Sequence, residues 1–147
     1  MDMQGTVKKL TRYANKGQPG EALRSIRLIE DLGMEGDFYA KGGSRQISLL
    51  SEEDRQWMAA QSEPGLCFAR YRENILFEYL PPALLVPGIR LKIGDALLEI
   101  SAEAKHCFEQ CSLSGSGRRC ALAGRSIFAC VIQGGTVSIG DTIERAY

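Results

Sequence analysis

The sequence predicts a mainly β fold, a closed β-barrel with one or two short helices, built by a single domain over residues 1–147. Three observations carry this expectation. Sixteen glycines sit between short apolar runs rather than in one flexible tract. Several of those runs alternate apolar and polar residues, the period-two pattern of a half-buried strand. No linker or low-complexity segment divides the 147 residues, a length that suits one core.

Taken in chain order, the segment 20–29 is ambiguous. Ala22, Leu23, Ile26 and Ile29 fit one helical face, yet residues 24–28 also alternate. Gly33-Met34-Glu35-Gly36-Asp37 and Lys41-Gly42-Gly43-Ser44 read as loops. Gln46-Ile47-Ser48-Leu49-Leu50 reads as a strand. Ser51-Glu52-Glu53-Asp54 resembles a capping box, with acids where the helix dipole favours them. A helix is therefore expected over about 52–61, stopped by Pro64-Gly65. Ile89-Arg90-Leu91-Lys92-Ile93 alternates apolar and basic residues, and Gly94-Asp95 turns the chain into a second strand, Ala96–Ile100. The same device recurs at Val137-Ser138-Ile139, Gly140-Asp141 and Thr142-Ile143-Glu144.

Charge and composition exclude several functions. Eighteen basic residues balance eighteen acidic ones, so the chain lacks the cationic excess with which a general nucleic-acid binder displaces counterions. The uncharged run at 80–89 carries four prolines and glycines and falls far short of the ~20 apolar residues of a membrane span. Residues 1–9 show no apolar core of a secretory signal, and five cysteines are an odd number for a disulfide framework. A cytoplasmic protein is the expectation.

Four of the five cysteines fall in the last third: Cys107, Cys111, Cys120 and Cys130. Cys107, Cys111 and Cys120, with His106 nearby, offer soft ligands to zinc, although no C-x2-C knuckle is present. Cys67 and Cys130 read as small core hydrophobes. Cys107 follows Lys105 and His106, cationic neighbours that favour the nucleophilic thiolate, and is the best candidate for a reactive thiol. Lys41-Gly42-Gly43-Ser44-Arg45 combines backbone donors with two cations and suits a phosphate, but it also suits an ordinary surface turn. Arg72-Glu73-Asn74 enters the apolar run Ile75-Leu76-Phe77. It reads equally as a planar anion site or as a buried Arg–Glu pair. Asp37, in a Gly-Asp turn, is suited to local backbone donors. Arg118-Arg119 reads as solvated surface.

These blocks, in order, resemble one family. Gly33-Met34-Glu35-Gly36-Asp37 followed by Arg45-Gln46-Ile47-Ser48-Leu49-Leu50 resembles the first signature of MOSC domains, named for the C-terminal domain of molybdenum-cofactor sulfurases. Arg72-Glu73-Asn74-Ile75, Ile93-Gly94-Asp95 with the strand leading to Cys107, and Phe128-Ala129-Cys130-Val131 with Gly134-Gly135-Thr136-Val137 and Gly140-Asp141 resemble its later elements. Gly36-Asp37-Phe38-Tyr39 stands where the family commonly has Gly-Asp-x-His, and Cys111 and Cys120 are additional thiols, as in small stand-alone bacterial members.

The resemblance implies a β-barrel and sulfur chemistry with the molybdenum cofactor. By resemblance Cys107 carries sulfur or ligates molybdenum, and Arg72 and Asn74 lie beside the pterin and its phosphate. Arg45 and Asp37 complete the candidate cofactor-binding set. A cysteine desulfurase or a molybdenum-cofactor enzyme is the implied partner, with pyridoxal phosphate only on a partner desulfurase. Some relatives instead reduce N-hydroxylated compounds at molybdenum. The alternative from a different class is a small thiol- or zinc-binding module with a structural or redox-sensing cysteine cluster.

Overall fold

The computed structural model describes residues 4–15, 17–38, 40–43, 45–60, 72–101 and 127–146. Eleven strands and one α-helix are formed among them: β1 (Gln4–Arg12), β2 (Glu21–Leu23), β3 (Ser25–Ile29), β4 (Gly33–Met34), β5 (Ile47–Ser51), α1 (Glu52–Ala60), β6 (Ile75–Glu78), β7 (Arg90–Ile93), β8 (Ala96–Ile100), β9 (Ile127–Gln133), β10 (Gly135–Ser138) and β11 (Thr142–Ala146). Seven strands close into a barrel in the order β11-β7-β8-β9-β5-β6-β1, with β1 pairing back onto β11. The closing register sets Gln4 against Glu144 and Thr6 against Thr142. Closure removes the unpaired edges that an open sheet would expose.

Alternation decides which side chains fill the barrel. In β7, Leu91 and Ile93 are fully buried while Arg90 and Lys92 face out. Val7, Leu10, Ile47, Leu49, Ile75, Phe77, Leu98, Val131 and Ile143 complete a continuous core. β5 and β6 run parallel, with Leu49 opposite Ile75, a connection that needs a crossover, and α1 begins that crossover. The Asp54 N–H donates to Ser51 Oγ at 3.0 Å, which caps the helix as its sequence predicts.

One open reading is settled and two expectations are corrected. The segment 20–29 forms two strands in different sheets: β2 extends the barrel beside β1, and β3 joins a small sheet of order β10-β3-β4. Gly33-Met34 is a short strand of that sheet, not a loop, and Met34 is fully buried. The two Ile-Gly-Asp strings do different work. Gly94-Asp95 closes the β7–β8 hairpin. Gly140-Asp141 instead carries the chain from β10 in the small sheet to β11 in the barrel.

Candidate functional site

Asn74, immediately before β6, is 4% exposed and lies at the centre of a hydrogen-bond knot. Its Nδ2 donates to Thr11 O and to Asp37 Oδ1, both at 3.2 Å, while its Oδ1 accepts from the Ser48 N–H at 3.0 Å. The Asn74 amide thereby ties β1, β5 and the Asp37 turn together. The same Asp37 oxygen accepts the Tyr13 N–H at 2.8 Å. Asp37 is itself buried, so its carboxylate anchors the chain as it leaves β1. These are two of the sequence-predicted site residues, and the structure brings them into direct contact.

Arg72, two residues before Asn74, is in a different state. Its guanidinium lies 4.6 Å from the centroid of the Tyr13 ring and donates to the Gln18 carbonyl. Its Nε is buried with no hydrogen-bond partner among the described residues. The adjacent Glu73 pairs with Arg55 of α1, not with Arg72. Arg72 makes no ion pair among the described residues. Of the two readings the sequence left open, an Arg–Glu pair exists, buried on its Glu73 side only, but its arginine is Arg55. Among the described residues Arg72 retains an unmatched charge and an unmatched donor.

Tyr13 carries no motif in the sequence and enters the site only through the fold. Burial, with the Glu73 carboxylate next, pushes its phenol up to about 12. It therefore remains a neutral hydroxyl over the whole ordinary pH range. The signal that finds it is the β1–β6 register, in which Leu10 lies opposite Ile75 and the residues beyond each strand meet.

Arg45 stands elsewhere, with its guanidinium 5.0 Å from the Phe128 ring. A row of hydrogen bonds and strand pairing links that region to Asn74. Ser101 N–H donates to Phe128 O, Phe128 pairs with Ser48, and Ser48 and Asn74 exchange bonds through the Asn74 backbone and amide. Ser101 Oγ is buried without a partner among the described residues. In the Lys41-Gly42-Gly43 turn, the Gly43 carbonyl accepts from the buried Gln46 amide at 2.9 Å and from the Cys130 thiol at 3.3 Å.

The cysteines divide. Cys130 is half-buried on the outward side of β9, not in the core, because Ala129 and Val131 take the inward positions. Burial, then Glu99 and Asp31, pushes its thiol up, which disfavours the thiolate. Cys67, Cys107, Cys111 and Cys120 lie outside the described residues, as do His106 and Arg118-Arg119. Among the described residues no three or more His, Cys, Asp or Glu side chains gather as a metal site.

A closed seven-strand barrel that buries an Asn–Asp pair beside an arginine with no ion pair among the described residues is a definite architecture, and comparison places it. The family model of the MOSC domain matches residues 36–144, and the chain belongs to the MOSC domain family. No curated protein matches it. Among solved structures it is similar to the YuaD protein from Bacillus subtilis, 20% identical with a TM-score of 0.72, over 100% of this chain and 98% of that one. YiiM from Escherichia coli is 17% identical with a TM-score of 0.61, over 97% of this chain and 70% of that one. YiiM from Geobacillus stearothermophilus is 13% identical with a TM-score of 0.66, over 97% and 75%. These likenesses show the fold. No helix among the described residues is long and apolar enough to cross a membrane.

Proposed function

We propose that this MOSC domain is a sulfur carrier that works with the molybdenum cofactor, with Cys107 as the thiolate that accepts sulfur and Arg72 as the residue that recognises an anionic group. One observation carries the reading. Arg72 is a half-buried guanidinium with no ion pair among the described residues and a buried, unmatched Nε–H. An unsatisfied buried donor costs about 1–3 kcal/mol, which an acceptor arriving at this corner would recover. The donor set thus fits the phosphate of a pterin cofactor, since a planar guanidinium offers paired N–H groups to such an oxyanion. When bound, that cofactor supplies a molybdenum centre for sulfur and redox chemistry.

The remaining roles belong to the chain itself. Arg72 binds and orients the anion. Asn74 and Asp37 hold the backbone on either side of Arg72 and Tyr13 in place, with their own hydrogen bonds directed inward. Arg45 stands at the Phe128 end of the same strand row and offers a second cation to an elongated anionic ligand. Cys107 follows Ser101 by six residues, a length that spans at most about 20 Å when extended. Three strand spacings separate Ser101 from Asn74 along the row, about 14 Å at ~4.8 Å each. The length of the intervening chain thus permits a thiol at Cys107 to serve the Arg72 corner.

In the transfer step the Cys107 thiolate attacks the outer sulfur of a persulfide on a partner cysteine desulfurase. A bond forms between the two sulfurs, the partner's thiolate leaves, and no net electrons are exchanged. Pyridoxal phosphate belongs to that partner. The test incubates the protein with a cysteine desulfurase and cysteine, then maps peptides by mass. One added sulfur atom on the Cys107 peptide, absent in Cys107→Ser, is expected. A chain that gains no sulfur and instead carries stoichiometric zinc removed with loss of fold is the thiol–zinc module, and the carrier reading falls.

A further inference from the structure

Tyr13 is held from four directions. Its backbone N–H donates to Asp37 Oδ1 at 2.8 Å, and its carbonyl accepts from the Phe38 N–H at 2.7 Å. Arg72 covers its ring face at 4.6 Å. The backbone of Gly20 closes on its edge so tightly that a Cβ there would fall 2.7 Å from Tyr13 Cε1. A side chain at position 20 would collide with the Thr11 methyl and with the ring edge together. A phenol fixed this firmly, with no partner for its hydroxyl among the described residues, is oriented for its face rather than for its oxygen.

We infer that Tyr13 is a positioning residue for Arg72: its ring fixes the guanidinium so that the N–H groups not spent on Gln18 are presented to a phosphate-type oxyanion. The inference rests on the anion-binding reading above and adds the device that aims the arginine. A free arginine side chain loses rotamer entropy when it grips an anion, and a guanidinium already laid on an aromatic face has lost much of it beforehand. The cation–π attraction does not consume N–H donors, so those not given to the Gln18 carbonyl stay available. The charges around the ring are otherwise matched. Glu73 is paired with Arg55, Arg12 with Glu21, and Asp37 is spent on Asn74 and Tyr13 N–H groups. Arg72 is the cation of this corner that the described residues leave unneutralised.

The probe is inorganic phosphate, titrated into the full chain while the side-chain Nε–H signal of Arg72 is followed by NMR. Phosphate is expected to shift that signal and to lose its tightest site in Arg72→Ala. Tyr13→Leu, which keeps bulk but removes the ring, should weaken phosphate binding about five- to tenfold, the range of a partly desolvated cation–π contact. Tyr13→Phe should restore the affinity to within about twofold, a rescue that a hydroxyl-dependent role would not give. Equal affinity in Tyr13→Leu and the parent, with Arg72→Ala still defective, overturns the role of Tyr13 and leaves the anion reading standing. Failure of phosphate to move the Arg72 signal in the parent overturns both. Should Tyr13→Leu not fold, the parent decides alone. Ring current should place the Arg72 side-chain protons upfield of the other arginines, and an ordinary position overturns the stack.

Discussion

Asn74 and Arg72 are two residues apart and have opposite hydrogen-bonding states. The Asn74 amide spends both N–H groups and its oxygen on Thr11, Asp37 and Ser48. Arg72 donates to the Gln18 carbonyl but has a buried Nε–H that meets no acceptor among the described residues, and its charge meets a ring face instead of a carboxylate. The difference teaches which residue is framework and which is working surface. A saturated buried polar group fixes geometry, and a bound ligand has nothing left to offer it. An unsaturated one gains from a ligand. Two neighbours in one motif therefore have separate tasks, and mutation should separate them.

The largest effect is expected at the framework. Asn74→Asp keeps the shape but replaces the Nδ2 donor with an acceptor that faces Asp37 Oδ1 and Thr11 O across 3.2 Å. Two buried carboxylate oxygens then face each other with no donor between them. Loss of about 3 kcal/mol or more is expected, read as a lower urea midpoint at unchanged slope. A change under about 1 kcal/mol would show that the knot does not hold the barrel.

Next comes Arg55→Ala. It strands Glu73, whose side chain is only 10% exposed, although Arg55 itself is 36% exposed and its gain is correspondingly screened. About 1–2 kcal/mol is expected, below the cost of breaking a fully buried pair. Arg55→Lys should recover part of it. Thermal unfolding of the three proteins checks the order.

Arg72→Ala should be far milder on stability than its neighbour. It removes a stacking contact and a bond to Gln18 O, but it also removes an unsatisfied buried N–H. These terms oppose one another, and a net change within about 1 kcal/mol is expected. Anion binding, not folding, should report this substitution. A loss as large as that of Asn74→Asp would make Arg72 part of the framework and erase the contrast.

The sequence displays the framework better than the working surface. β7 and β8 are legible because alternation and a Gly-Asp turn are local signals, and Gly94 at φ 56 confirms the turn chemistry. The identical string at 139–141 misleads for the same reason. A turn is local, whereas the choice of pairing partner for β10 depends on β3, more than a hundred residues earlier. Phe128-Ala129-Cys130-Val131-Ile132 is apolar throughout, so the outward face of Cys130 leaves no trace in the pattern. Asp37 and Asn74 stand out in the sequence because their types are unusual beside apolar strands. Tyr13 does not, since a tyrosine at a strand end is ordinary until the register sets it under an arginine 59 positions away.

The smallest effect concerns the Tyr13 hydroxyl, and pH isolates it. An exposed or unfolded phenol releases its proton near 10, whereas burial, with Glu73 next, holds the folded one up to about 12. The folded state therefore keeps a proton that the unfolded chain surrenders between those values. By linkage, the contribution of the neutral phenol is fully present below pH 10 and is lost as pH rises toward 12. Tyr13→Phe has no proton to lose, so its urea midpoint should decline less steeply over this window than that of the parent. Because the ring is only half-buried, solvent screens the effect and the two curves should separate modestly. Below pH 9 they should run parallel. Divergence there instead would mean that the hydroxyl makes a hydrogen bond in the folded state, and the ring would no longer be the whole of what Tyr13 contributes beneath Arg72.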